Sequence, residues 1–112
     1  MSFYAKIKTQ LANKKYILSA LAELERKGEI SSYEYIEKKE KIKIDRDGDI
    51  LNIVQDKTGN FEVTGDVHIG RIFTERLKQI YAYESIKDNL PLDFEIAKEL
   101  EEGGEISILL KG

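Results

Sequence analysis

The chain of 112 residues contains no cysteine and no tryptophan, and it has one histidine and one proline. Without cysteine, the protein can form no disulfide, no thiolate metal site and no cysteine nucleophile. His68 alone leaves few routes to a histidine-rich metal site. No apolar run approaches the ~18 residues that span a membrane, and the first residues lack the apolar stretch of a signal peptide. These absences predict a soluble protein of the cytoplasm or an organelle stroma.

The charge balance gives no bulk attraction to nucleic acid or to anionic lipid. The formal net charge is −3, although 35% of the residues are charged. A strongly basic chain would be expected if phosphate backbones were the main ligand. The abundance of lysine and glutamate leans towards a thermophilic source.

The order strand, helix, strand, strand occurs twice, over residues 3–54 and 61–110. In the first pass Phe3, Ala5 and Ile7 alternate with polar residues, which predicts a strand with one buried face. A helix should follow between Asn13, a candidate N-cap, and Gly28, a candidate C-cap. Its buried face is expected to consist of Ile17, Ala20, Leu21 and Leu24.

Further strands are predicted around residues 33–35, 41–44, 50–54 and 61–64, with a hairpin turn at Asp47-Gly48. The second helix should begin between residues 66 and 69 and end before Pro91. The last two strands are predicted from the alternations Leu92, Phe94, Ile96 and Ile106, Ile108, Leu110, on either side of Gly103 and Gly104.

These elements predict a single α+β domain over residues 1–112. Its architecture should be a two-layer sandwich, in which two helices cover one face of a mainly antiparallel sheet. The two halves share the order of their elements and not their residues, so the duplication is structural. No linker or segment of low complexity divides the chain.

Two loops resemble ligand-binding motifs, but each has a simpler interpretation. Asp45, Asp47 and Asp49 suggest a calcium loop, yet the glycine comes too early and no glutamate occupies the twelfth position. Residues 65–71 (GDVHIGR) could bind phosphate at a helix N-terminus. Asp66 would repel that anion and is better explained as an N-cap. The sequence therefore predicts no metal site and no cofactor.

The second helix carries the candidate surface for a protein partner, namely Arg71, Arg76 and Tyr81. Arg76 projects inside the apolar band of this helix, so it either lays its stem over the core edge or faces a partner. Tyrosine and arginine suit interfaces because each joins apolar area to a polar tip.

Two other classes of function stay open. Lys6, Lys8, Tyr33 and Tyr35 could bind RNA or single-stranded nucleic acid on the sheet, by base stacking beside basic residues. Alternatively, His68 and nearby carboxylates could act on a small substrate. Unpaired strand edges also make a homodimer a candidate assembly.

Several segments resemble one known family. Residues 4–10 (YAKIKTQ) followed by residues 16–24, and residues 77–83 (LKQIYAY) with the closing residues 104–110 (GEISILL), are similar to the family typified by plastid hypothetical reading frame 35, the domain of unknown function 1257. This chain has Ile80 where that family carries an arginine in its Gln-Arg-Tyr-Ala-Tyr helix. Residues 31–67 carry little of the likeness.

The resemblance implies a small soluble protein without an assigned reaction, found in bacteria, plastids and some viruses; a plastid-encoded member would reside in the stroma. Members of the family often accompany AAA-type ATPases. The expected function is therefore a non-enzymatic interaction or accessory module, with an AAA-type ATPase as a candidate partner.

Overall fold

The computed structural model describes the backbone of residues 4–89, 95–102 and 105–111, and the side chains of residues 4–89. The chain forms the strands β1 (Tyr4–Lys8), β2 (Ser32–Ile36), β3 (Lys41–Arg46), β4 (Asp49–Gln55), β5 (Phe61–Asp66), β6 (Glu95–Glu102) and β7 (Glu105–Lys111). It also forms the helices α1 (Lys14–Arg26) and α2 (Val67–Asp88), and a short 3-10 helix (Glu37–Lys39).

Five strands make one antiparallel sheet in the order β1-β5-β4-β3-β2. Every connection between β2 and β5 is therefore a hairpin between neighbouring strands. The β3–β4 loop consists of Asp47 and Gly48 alone, because Arg46 pairs with Asp49. This confirms the predicted turn, in which the Asp45 carboxylate accepts a hydrogen bond from the Gly48 N–H at 2.8 Å.

The predicted α+β architecture is confirmed, since both helices lie on one face of this sheet. The residues in the middle of β3, β4 and β5 that point towards the helices are buried, among them Ile42, Ile44, Leu51, Ile53 and Val63. From the helical layer Ile17, Leu21, Leu24, Leu77 and Ile80 meet them, each at most 1% exposed. Burial of one such side chain stabilises the fold by ~1.5–3 kcal/mol.

The order strand, helix, strand, strand occurs twice, with β4 as an additional strand in the first half, but the two halves build different sheets. In the first half, β1 to β4 all enter the five-stranded sheet. In the second half only β5 does so, whereas β6 and β7 pair with each other as a separate two-stranded sheet. Phe3, Pro91, Leu92, Phe94, Gly103 and Gly104, which helped to predict these boundaries, lie outside the described residues.

Both helices begin at the predicted caps. Asn13 accepts a hydrogen bond from the Lys15 N–H at 2.9 Å. Asp66 accepts from the N–H groups of His68 and Ile69, each at 3.1 Å. These bonds satisfy donors that the first turn of a helix leaves without partners.

The end of α1 fixes the course of the chain into β2. Gly28 adopts a φ of +77°, and the Glu29 N–H donates to the carbonyl of Leu24 at 2.9 Å. This six-to-one bond across a left-handed residue is a Schellman motif, which glycine permits at little steric cost. It confirms the predicted C-cap and places Glu29 beside α2.

Among residues 4–89, no helix combines the length and the apolarity that crossing a bilayer requires.

Candidate functional site

The three residues of the predicted partner surface lie on different sides of α2. At ~100° per residue, Arg76 is about 140° from Arg71, and Tyr81 is a further 140° on. Arg71 is exposed, whereas Arg76 and Tyr81 lie at opposite borders of the buried face. The structure therefore does not bring the three side chains together.

Tyr81 lies where α1 begins. Its hydroxyl oxygen accepts a hydrogen bond from the Asn13 N–H at 3.1 Å. Its ring meets the ring of Tyr16 edge to face, with the centroids 5.6 Å apart. Such pairs add ~0.5–1.5 kcal/mol to the effect of area burial. Tyr81 thus has a structural role in joining the two helices.

The polar contacts around Tyr81 continue towards the end of α2. The carboxylate of Asp88 accepts a hydrogen bond from the Tyr16 hydroxyl at 2.7 Å and one from Lys15 Nζ at 2.9 Å. Asn89 Nδ2 donates to the Tyr16 hydroxyl oxygen at 3.1 Å. We call this end of the helix pair the tied end; it comprises Asn13, Lys15, Tyr16, Tyr81 and Asp88.

The hydrogen bonds at the tied end shift three titrations. The Tyr16 hydroxyl, followed by Lys15, lowers the pKa of Asp88 below its ordinary value. The hydrogen bond to Asp88 raises the pKa of Lys15 and also that of Tyr16. All three shifts favour the observed arrangement, in which Asp88 is charged and the other two groups keep their protons.

Arg76 is engaged within the chain by Glu29. Its Nε and one terminal nitrogen donate to the two carboxylate oxygens of Glu29, both at 2.7 Å. Another nitrogen donates to Oε1 of Gln79 at 3.2 Å. The Arg76 side chain is only 17% exposed. Neither predicted placement of Arg76 describes this fork-to-fork pair, which matches the planar geometries of guanidinium and carboxylate.

A cavity of about 230 Å³ opens beside this ion pair. Its floor is apolar, and charged side chains lie around it. It is lined by Leu24, Glu29, Ile30, Arg46, Ile72, Phe73 and Arg76. We call this end of the helix pair the open end and define it by these seven residues.

The open end exposes apolar surface at its rim while its floor is well packed. Leu24, Ile30 and Phe73 are at most 3% exposed, whereas Ile72 is 47% exposed. A second depression of about 450 Å³ shares Glu29, Ile30 and Arg46 with the first. Its further residues are polar or charged, namely Ser31, Asp47 and Asp49, apart from Gly28. The two depressions together form a recess with an apolar and a polar part.

Arg46 is the functional candidate that the sequence interpretation missed. It lies at the end of β3, on the same face as Ile42 and Ile44. Its side chain is half-buried, and no described residue forms a hydrogen bond or ion pair with its guanidinium group. The sequence did contain a signal for it. Alternate residues of a strand share one face, so Arg46 had to lie on the same face as Ile42 and Ile44, which the helices cover.

The residues of the predicted nucleic-acid surface are separated by the sheet. Lys6 and Lys8 project from the uncovered face of β1, where they pair with Thr64 and Glu62. Tyr33 and Tyr35 lie on β2, at the opposite edge of the sheet. These tyrosines pack against the helix-facing core, so the four side chains form no common surface. Lys14 Nζ also donates to the Tyr35 hydroxyl oxygen at 3.1 Å.

The remaining motifs have structural roles or no described site. His68 is exposed and lines neither cavity of the recess. Asp66 occupies the backbone donors that a phosphate would need at the start of α2. Among the described residues, no group of three histidine or carboxylate side chains could hold a metal ion. Asp45 serves the β3–β4 turn instead.

Comparison with known proteins gives no relative. No family model, no curated protein and no solved structure matches this chain.

Proposed function

We propose that this chain is a non-enzymatic protein-interaction module that docks a partner at the open end of its helix pair. The observation that carries the proposal is the cavity of about 230 Å³, with its apolar floor and the half-buried Arg46 beside it. Aromatic and aliphatic anchors filling such pockets, together with arginines, dominate the energetics of protein interfaces.

The apolar cavity is smaller than the usual site for a drug-sized ligand, and the adjoining depression of about 450 Å³ is lined mostly by polar and charged residues, whereas ligand sites are mostly apolar. Both properties favour a protein partner over a small-molecule ligand. Sites for drug-sized ligands and cofactors usually enclose ~300–1,000 Å³. At about 230 Å³, this cavity suits a single large side chain of a partner. The rest of an interface would extend over neighbouring exposed residues such as Ile72 and Arg71.

The proposal retains the family resemblance and an AAA-type ATPase as the candidate partner. The resemblance is carried by residues 4–10, 16–24, 77–83 and 104–110, and the ATPase is a candidate through that resemblance. Within residues 77–83, Leu77 and Ile80 are fully buried and Tyr83 is 8% exposed, so these three side chains of the motif hold the fold together. The role of the family's arginine is not carried over, because Ile80 occupies its position inside the core.

The first test compares two isoleucines of α2 that are similarly exposed. Ile72 at the open end is 47% exposed, and Ile86, which lies outside the recess, is 44% exposed. Wild type, Ile72→Asp and Ile86→Asp are used for affinity capture from native cells. The captured protein is then identified by mass spectrometry and purified, so that its Kd for each form can be measured.

We expect Ile72→Asp to weaken binding at least about tenfold and Ile86→Asp to leave it within about twofold, since only the former puts a charge beside the apolar floor. Equal affinities for all three forms would contradict docking at the open end. Substituting Arg76 and Tyr81 together would be a weaker test, because both side chains hold intramolecular hydrogen bonds.

A further inference from the structure

We propose that the open end recognises the C-terminal residue of its partner. An apolar side chain of that residue fills the cavity, and its α-carboxylate pairs with Arg46. This inference rests on the proposed docking function and adds the chemistry of the bound segment.

The charge around the cavity selects an anion. Two guanidinium groups, Arg46 and Arg76, and one carboxylate, Glu29, line the apolar cavity, whereas Asp47 and Asp49 line the polar depression beside it. Arg76 already gives its fork to Glu29 and a further donor to Gln79. Arg46 therefore supplies the donors for an incoming carboxylate, and its planar fork can hold both oxygens.

The partial burial of Arg46 strengthens this selection. Arg46 as a residue is half-buried, so its charge is screened less by solvent than that of a fully exposed arginine, and an anion placed on it gains more. The apolar floor formed by Leu24, Ile30 and Phe73 removes water from one side of the bound residue. The site therefore complements a ligand that has one carboxylate, for Arg46, next to one apolar side chain, for the apolar floor.

The acidic neighbours of Arg46 favour a chain end over an acidic stretch. Asp47 and Asp49 line the polar part of the recess and repel further negative charge there. An acidic peptide would carry several carboxylates past these residues. A C-terminal residue brings one carboxylate and its apolar side chain together, and its preceding residues can remain neutral or basic over the polar part.

The test uses three acetylated peptides and the full chain labelled with ¹⁵N. The first is acetyl-glycyl-seryl-leucine with a free carboxylate, the second is its C-terminal amide, and the third is acetyl-glycyl-leucyl-aspartate amide. The last peptide moves the negative charge onto a side chain. Binding is followed by amide chemical-shift changes in wild type, Arg46→Gln, Arg46→Lys and Ile72→Asp. The spectrum of each protein without peptide also shows whether that variant is folded.

We expect the free acid to bind in the millimolar range, with shifts at Ile30, Arg46, Ile72 and Phe73. The amide and the aspartate peptide should bind at least about tenfold more weakly, since a charge-assisted hydrogen bond in this setting is worth about that factor. Arg46→Gln should remove the difference between acid and amide, and Arg46→Lys should restore part of it because it returns the charge without the fork.

Two results would overturn the inference. One is equal binding of acid and amide by the wild type, or an unchanged preference in Arg46→Gln. The other is binding of the aspartate peptide as tightly as the free acid. If none of these peptides binds while Ile72→Asp still weakens binding of the captured partner, the docking function stands and the C-terminal recognition is wrong. If Ile72→Asp also has no effect on that partner, both are wrong.

Discussion

The two ends of the helix pair differ in how they use their polar groups. At the tied end, Tyr16, Tyr81 and Asp88 join α1 to α2 through hydrogen bonds and a ring contact. At the open end, the Arg76–Glu29 pair joins α2 to the segment that follows α1, but an apolar cavity and the half-buried Arg46 remain beside it. One end is closed by its own side chains, and the other has room for a foreign one.

This difference shows that residue type alone does not locate a binding surface. Arg76 and Tyr81 have the chemistry of interface residues, but each is used within the chain. Arg46 has the same chemistry as Arg76 and has no described partner for its guanidinium. The environment of a polar group therefore decides whether it stabilises the fold or remains available for a ligand.

The largest effect is expected from Gly65, which directly precedes the capping residue of α2. Gly65 has a φ of +148°, and a Cβ at this position would lie 2.5 Å from Leu51 Cδ2. Gly65→Ala should lower the free energy of unfolding by about 2–4 kcal/mol, through backbone strain and overpacking. The substitution should also disturb the open end, because Gly65 lies just before α2, the helix that carries Ile72, Phe73 and Arg76.

Gly59→Ala is the matched control for this substitution. Gly59 also has a positive φ, +93°, but the nearest atom to a new Cβ is 3.9 Å away. We expect a cost of about 1–2 kcal/mol from the backbone alone. Urea unfolding of both variants measures the difference, and equal costs would show that the contact with Leu51 relaxes freely.

An intermediate effect should separate the bridges at the two ends. Arg76→Met keeps an apolar stem but removes the charge-assisted hydrogen bonds to Glu29, whose side chain is 36% exposed, at a cost of about 1–2 kcal/mol. Tyr81→Phe keeps the ring contact with Tyr16 and loses one hydrogen bond, at a cost of about 0.5–1 kcal/mol. Denaturant unfolding ranks the two, and a larger cost for Tyr81→Phe would mean that the tied end holds the helices more strongly.

The smallest effect is expected from the pH dependence of the tied end. The pKa of Asp88 is lowered by Tyr16 and Lys15 in the folded chain, so its contribution is present above the unfolded pKa of about 3.9 and is lost as pH falls through the folded value. The raised pKa values of Lys15 and Tyr16 give a contribution that is present below about pH 10 and is lost at higher pH.

Asp88→Asn should therefore flatten the stability profile slightly at both extremes, and it should leave the acid–amide preference at the open end unchanged. Thermal melts between pH 2 and pH 11 measure the profile. An acid limb identical to that of wild type would show that Asp88 contributes nothing to the pH dependence.

The sequence predicted the elements better than the contacts between them. Local signals determine the caps at Asn13 and Asp66, the turn at Asp47-Gly48 and the end of α1 at Gly28, because each depends on neighbouring residues. The pattern of apolar residues likewise predicted the buried face of α1 correctly.

The candidate site needed information that neighbouring residues do not carry. The partner of Arg76 is Glu29, 47 positions away, and the Schellman motif brings it there. The separation of Lys6 and Lys8 from Tyr33 and Tyr35 follows from the strand order and register, which a hydrophobic pattern does not specify. Arg46 could have been found from its strand face, but its cavity depends on both helices.

The lysines of β1 have a consequence for the behaviour of the protein in concentrated solution. β1 and β2 are the two edge strands of the five-stranded sheet, and an edge strand can pair with another chain. Antiparallel pairing of β1 with its own copy about Lys6 would place lysine opposite lysine, and pairing of β2 about Glu34 would place glutamate opposite glutamate. Like edge strands of two molecules therefore repel each other in these registers, which disfavours a symmetric dimer built by pairing β1 with β1 or β2 with β2.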